Sequence, residues 1–145
     1  MKPLATDELI ERLRCVLAAR PEVLEAYLFG SSARGEREPH SDVDVAVYLD
    51  RRSGPGAPYG APATLAAELM TTTGEPQVDV VVLNEAPPLL YGRVVQDGVR
   101  FLSRDLAATT TREGRALSRY CDFVPHLAKI DAAHRARILR GGFGR

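Results

Sequence analysis

A mixed α/β (α+β) fold, with a small central sheet of three or four strands flanked by helices, is the expectation for this 145-residue chain. Three features lead to it. Helix-like and strand-like segments alternate along the sequence. The first two strand-like segments are joined by a loop too short for a crossover helix, which favours an antiparallel pair. The third follows a helical crossover, which favours a parallel relation to the second.

The elements follow in order. TDELIERLRCVLAAR reads as a helix: Thr6 is placed to cap its start, Leu9, Ile10, Leu13, Val16 and Leu17 recur at helical spacing, and Pro21 ends it. VLEAYLF is a strand that stops at Gly30. SSARG has room for a turn or two beginning at Ser31, REPHS is a loop, and DVDVAVYL is a second strand. Asp50 to Pro62 is rich in Gly and Pro and reads as an exposed, mobile loop. ATLAAELMTTT is a helix ended by Gly74, and VDVVVL, from Val78 to Leu83, is an apolar β-branched strand bearing one aspartate, Asp79. PPLLYGRVVQDG is a helix with proline near its start and Gly98 after its end. VRFLS reads as a short fourth strand. From about Asp105 the pattern is helical with a break near Pro125, and GGFGR is a frayed tail. The whole of 1–145 reads as one domain, with a core from about 22 to 103, a helical C-terminal segment from about 105 to 139 and a tail at 140–145.

Composition narrows the function classes. Net formal charge is zero, so no global field favours nucleic acid, and binding to DNA is not expected. The charge is uneven, however. Residues 112–145 carry eight basic and three acidic side chains, a net +5 that suits either a solvated helix face or contact with an acidic partner or RNA. Cys15 and Cys121 lie far apart, without a Cys/His cluster, which argues against zinc. Both fall in helix-like stretches and are expected to pack as small apolar groups. No apolar run is long enough for a signal h-region or a membrane span, and two thiols without a secretory signal fit a reducing cytoplasm.

The chemistry concentrates in FGSSARGEREPHSDVDVAV, Phe29 to Val47. Asp42 and Asp44 interrupt an apolar strand where valine would pack better. Residues two apart on a strand share a face, so the two carboxylates point the same way, with Val43, Val45 and Val47 on the other face against helices. Antiparallel pairing brings Ser31 near them. Parallel pairing of the third strand brings Asp79, also near its strand's start, to the same edge. Three carboxylates make a hard, oxygen-only site that suits Mg²⁺ with phosphate oxygens, and the arrangement fits two-metal chemistry. Gly30 lets a phosphate approach the backbone, Ser31 adds a hydroxyl and the N–H groups of a helix start, and Arg34 adds a guanidinium.

Gly30-Ser31, ten residues, then Asp42-Val43-Asp44 resembles the signature of the DNA polymerase β-like nucleotidyltransferases, with Asp79 matching the third family carboxylate. GSSARGEREPHSDVDVAV, LLYGRVVQDGVRFLSRD and RYCDFVPHL resemble the minimal branch, which includes the MntA-type antitoxins paired with HEPN (HepT-like) RNase toxins. The likeness runs from about Leu24 to Leu127. It implies the polymerase β-like fold and transfer of AMP from ATP to a tyrosine of the cognate toxin, in a heteromeric complex. It implies that Gly30 and Ser31 hold the triphosphate and that Asp42 and Asp44 bind metal. It implies too that Asp79 completes the metal site and helps deprotonate the attacking hydroxyl. No second domain of useful size follows the core, so substrate selection is expected from a partner protein. The Asp50–Pro62 loop is longer and richer in Pro and Gly than the branch leads one to expect.

Plainer readings stand beside these. Asp42 and Asp44 are also compatible with a solvated strand start, Asp79 with capping of the turn after Pro76-Gln77, and Ser31 with a simple N-cap. His40, His126 and His134 show no ligand spacing. Tyr91 and Tyr120 suit helix packing or partner contact better than nucleophilic chemistry. Two other functions fit the same residues: an antitoxin that acts by binding alone, and a transferase acting on a small molecule or an RNA end.

Overall fold

The structure is a computed structural model and describes residues 6–33, 42–51 and 61–139. Its elements are α1 (Thr6–Ala18), β1 (Val23–Phe29), β2 (Val43–Leu49), α2 (Ala61–Thr73), β3 (Val78–Val82), α3 (Pro88–Asp97), β4 (Val99–Ser103) and α4 (Leu106–Leu139). Short 3₁₀ turns at Gly30–Ser32 and Leu83–Glu85 follow β1 and β3. Four strands form one mixed sheet in the order β3-β2-β1-β4. The β1–β2 pair is antiparallel and β2–β3 is parallel, as the loop lengths favour, and β1–β4 is antiparallel. The expected α/β architecture is therefore the observed one.

Strand parity builds three layers. Val43, Val45 and Val47 face α1 and α2, joining Leu9, Leu13, Leu17, Leu65 and Leu69 in the larger core. The opposite face of β1 and β2 presents Tyr27, Ala46 and Tyr48 to α3 and the Leu83 turn in a smaller core with Val94. Asn84 extends β2 beyond its last strand partner: its side-chain amide accepts from the Leu49 N–H at 2.9 Å and donates to the Leu49 carbonyl at 2.7 Å. At the edge, Arg104 donates to the carbonyls of Val23, Leu17, Ala18 and Arg20 at 2.6–3.1 Å, tying the end of α1 to β1 and β4.

α4 is held to the sheet by polar groups. Glu25, at 0% exposure, forms an ion pair with Arg112, whose Nε donates to the carboxylate at 2.5 Å. The Tyr27 hydroxyl donates to Glu113 at 2.9 Å, and Glu113 accepts from Arg100 at 2.6 Å. The Arg112 guanidinium also lies 4.5 Å from the centroid of the Tyr48 ring. α3 and α4 approach closely because position 92 is glycine: a Cβ there would stand 2.4 Å from the Cβ of Tyr120. Tyr120 is thus a packing residue, as expected.

Two expectations are corrected. α4 does not break near Pro125 but runs through it. Proline removes the N–H that would bond the Cys121 carbonyl and crowds that carbonyl, but this part of the helix is mostly exposed, so the carbonyl can turn to water. Cys15 and Cys121 are exposed free thiols, not packed groups, because each falls on the outward face of its helix. Most of the Asp50–Pro62 loop, and the tail at 140–145, lie outside the described residues. Among the described residues no helix is long and apolar enough to cross a membrane.

Replacing Arg112 with Met leaves Glu25 buried without its cation. Loss of one partner of such a pair costs about 3–5 kcal/mol, so urea denaturation of Arg112→Met should show a drop of that order. Adding Glu25→Gln should recover part of it.

Candidate active site

β2 is the hub of the site. Phe29, the last residue of β1, pairs with Asp44, and Asp44 pairs with Asp79 of β3. Neighbouring strands lie about 4.8 Å apart, so the end of β1, Asp44 and Asp79 form a row across the sheet edge. The Val43 N–H donates to the Gln77 carbonyl at 3.0 Å, which aligns the start of β2 with the start of β3. Asp42 lies one residue before β2 and is exposed.

Gly30 leaves β1 with φ +75°, in the left-handed region that glycine enters without strain. A Cβ built there would lie 2.4 Å from Oδ2 of Asp44. The Asp44 carboxylate therefore rests against the Gly30 backbone, and two motifs ten residues apart in sequence touch in space. Ser31 is half-buried within the 3₁₀ turn. The expectation that Ser31 starts and caps a helix is corrected. The turn's N-cap position is Phe29 and carries no side-chain cap bond. The described turn spans three residues and closes with the Ala33 N–H on the Gly30 carbonyl. Ser31 offers its hydroxyl and backbone N–H at this turn.

Burial raises the Asp44 pKa above its ordinary value, and the negative charges of Asp79 and Asp42 push it the same way. Asp79 is exposed and accepts a long bond, 3.4 Å, from the Gln77 amide. Asp42 and Asp79 are both within electrostatic reach of Asp44, yet among the described residues no three His, Cys, Asp or Glu side chains gather closely enough to hold a metal ion. The donor set still suits a hard divalent cation: all its atoms are oxygens, and one carboxylate is destabilised by burial and by its neighbours. Arg34 lies outside the described residues. Ser32 was passed over in the sequence. It is fully buried beside this turn, with a hydroxyl that has no hydrogen-bond partner among the described residues. The doubled serine after Gly30 was its only signal.

Residues 11–107 match the family of polymerase β nucleotidyltransferases. The chain belongs to that family. Sequence comparison with curated proteins gives no significant match. Among solved structures, this nucleotidyltransferase is similar to a chain of a toxin–antitoxin complex with AMP-PNP, with 26% identity and a TM-score of 0.67 over 90% of this chain and 99% of that one. A chain of a MntA–HepT toxin–antitoxin mutant gives 26% and 0.66 over 90% and 98%. A complex of the tri-AMPylated Shewanella oneidensis HEPN toxin with MNT antitoxin gives 23% and 0.67 over 89% and 98%, a likeness of fold.

The Asp44 shift has a stability consequence of definite sign. The folded chain holds this proton more tightly than the unfolded chain, so stability falls as pH rises from the ordinary aspartate range, about 3.9, through the raised folded value. Asp44→Asn should therefore melt at a higher temperature than wild type in EDTA at pH 7, and the gain should vanish as pH approaches 4. Thermal melts across that range check it. An Asn variant less stable at neutral pH would contradict the reading.

Proposed function

We propose that this nucleotidyltransferase transfers AMP from ATP to a tyrosine hydroxyl of a HEPN-type partner toxin and thereby silences it. The observation that carries the proposal is the contact of Gly30 with the Asp44 carboxylate, with Asp79 paired to Asp44 on the next strand. It joins a phosphate-approach point to a carboxylate row. The acceptor is drawn from what the similar structures are described as containing: toxin–antitoxin pairs, one with AMP-PNP and one with an AMPylated HEPN toxin.

In this reading the Gly30 backbone and the Ser31 hydroxyl hold the triphosphate, with Arg34 as a further phosphate contact. Asp42, Asp44 and Asp79 hold divalent cations, with Mg²⁺ as the expected ion. Bound there, the cations supply charge neutralisation at the phosphates and activation of the attacking oxygen. The tyrosine oxygen attacks the α-phosphorus in line, the bond to the bridging oxygen breaks, and pyrophosphate leaves. Asp79, the exposed member of the row, receives the hydroxyl proton. The protein contributes positioning and fixed charge more than covalent chemistry. One domain carries this work, with the core at about 22–103 and the helical segment at about 105–139 as its partner-facing arm, in the cytoplasm where ATP is at hand.

Incubation with the toxin encoded beside this protein, ATP and Mg²⁺ should add one or more AMP units to the toxin, read by intact mass spectrometry. Asp42→Asn or Asp44→Asn should lower the rate by about 10² or more while melting as a folded protein. An unmodified toxin in a stable complex would instead favour an antitoxin that works by binding alone. AMP on a small molecule or an RNA end without a partner would favour the third reading.

A further inference from the structure

A cavity of about 320 Å³ lies away from the carboxylates, between the end of β2, the Leu83 turn, α3 and α4. Tyr48 forms part of its wall, four residues along β2 from Asp44 on the same face, which is about 13 Å along a strand. Four arginines reach it: Arg51, Arg112, Arg115 and Arg119. Arg112 is already neutralised by Glu25. Among the described residues, Arg51 bonds only a carbonyl, that of Asn84 at 3.2 Å, and neither Arg115 nor Arg119 has a carboxylate partner. Glu113, next in sequence, is taken by Tyr27 and Arg100. Among the described residues, three of the concavity's guanidiniums thus have no carboxylate partner.

Two further features give the ligand a shape. Tyr91 lines the cavity, and its buried hydroxyl has no hydrogen-bond partner among the described residues. Burial, then the charge of Glu25, raises its pKa, so it stays a protonated donor. Leu83, Ala86, Pro88 and Ala116 form an apolar stretch of wall beside the Tyr48 ring, with Asn84 as a further polar group. Such a volume is large for a lone anion and falls at the lower end of small-ligand sites, about 300–1,000 Å³. Planar guanidiniums bind phosphate oxygens in pairs, and several of them suit a multiply charged phosphate better than a single carboxylate.

We propose that this cavity is a second ligand site of the protein, taking a nucleoside monophosphate with its phosphate on Arg115, Arg119 and Arg51 and its ring system against the apolar wall. The site needs no divalent cation, since its charge comes from the chain. It is independent of the transfer reaction proposed above and stands or falls separately from it.

The test is calorimetric titration of the intact protein in EDTA, where the carboxylate edge repels phosphate. AMP should bind at one per chain, with inorganic phosphate and adenosine each at least about tenfold weaker. Arg115→Gln/Arg119→Gln should weaken AMP about tenfold or more, the scale of losing charge-assisted bonds. Both arginines are exposed, so the double variant should keep its wild-type circular dichroism and melting temperature. With Mg²⁺ and AMP-PNP, the double variant should still bind the analogue at the carboxylate edge. Absence of AMP binding, or binding that the double variant retains, overturns the proposal. Phosphate binding as tightly as AMP overturns its nucleoside part. Equal loss of Mg²⁺–AMP-PNP binding in the double variant would make the cavity part of the active site and overturn its independence.

Discussion

The pairing of β2 with a different strand on each side is the constraint on which the site depends. Phe29, Asp44 and Asp79 fall on one line because β2 is antiparallel to β1 and parallel to β3 in a single register. A one-residue slip of β2 would turn Asp44 into the larger core and Val43 and Val45 out of it. That alternative buries carboxylates among Leu65, Leu69 and α1, so the same valines that fill the core also hold the aspartates at the edge. Stability of the sheet and placement of the chemistry are one interaction seen from its two faces.

The second face is organised differently. There a small apolar cluster is topped by Glu25, Tyr27, Arg112, Glu113 and Arg100. A buried ion pair of this kind contributes little net stability, since desolvation offsets most of its attraction. What it does supply is position. A buried carboxylate on β1 whose cation is Arg112 of α4 sets where α4 lies along the sheet. The glycine at 92 sets how near α3 comes to α4.

Much of this was legible in the chain. The parity of DVDVAV named the core valines and the edge aspartates, and the loop lengths fixed the strand directions. Gly30-Ser31 and Asp42-Val43-Asp44 were recognisable by spacing, although the contact between Gly30 and Asp44 depends on a backbone angle that no spacing reveals. Other features were hidden for physical reasons. Glu25 reads as an ordinary interruption of a strand, because its partner is 87 residues away. The cysteines look like core residues by chemistry, but each helix turns them outward. Pro125 looks like a break, yet an exposed helix can spare one hydrogen bond. The arginines of α4 read as a solvated stripe until Tyr48 and Tyr91 enclose one side of them.

The Arg104 clamp bears on how the chain reaches its shape. The carbonyls at the end of α1 have no glycine cap: Leu17 accepts from the Arg20 N–H and from Arg104, and Ala18 from Arg104, 86 positions downstream. During synthesis the side-chain half of that cap is added only when Arg104 has emerged, long after the helix itself. Closing so large a loop is slow, and contacts that reward it come late. The N-terminal half should thus acquire its final order together with β4, as one cooperative unit. A ribosome stalled before Arg104 would hold a helix whose end lacks its side-chain clamp and a sheet without its fourth strand.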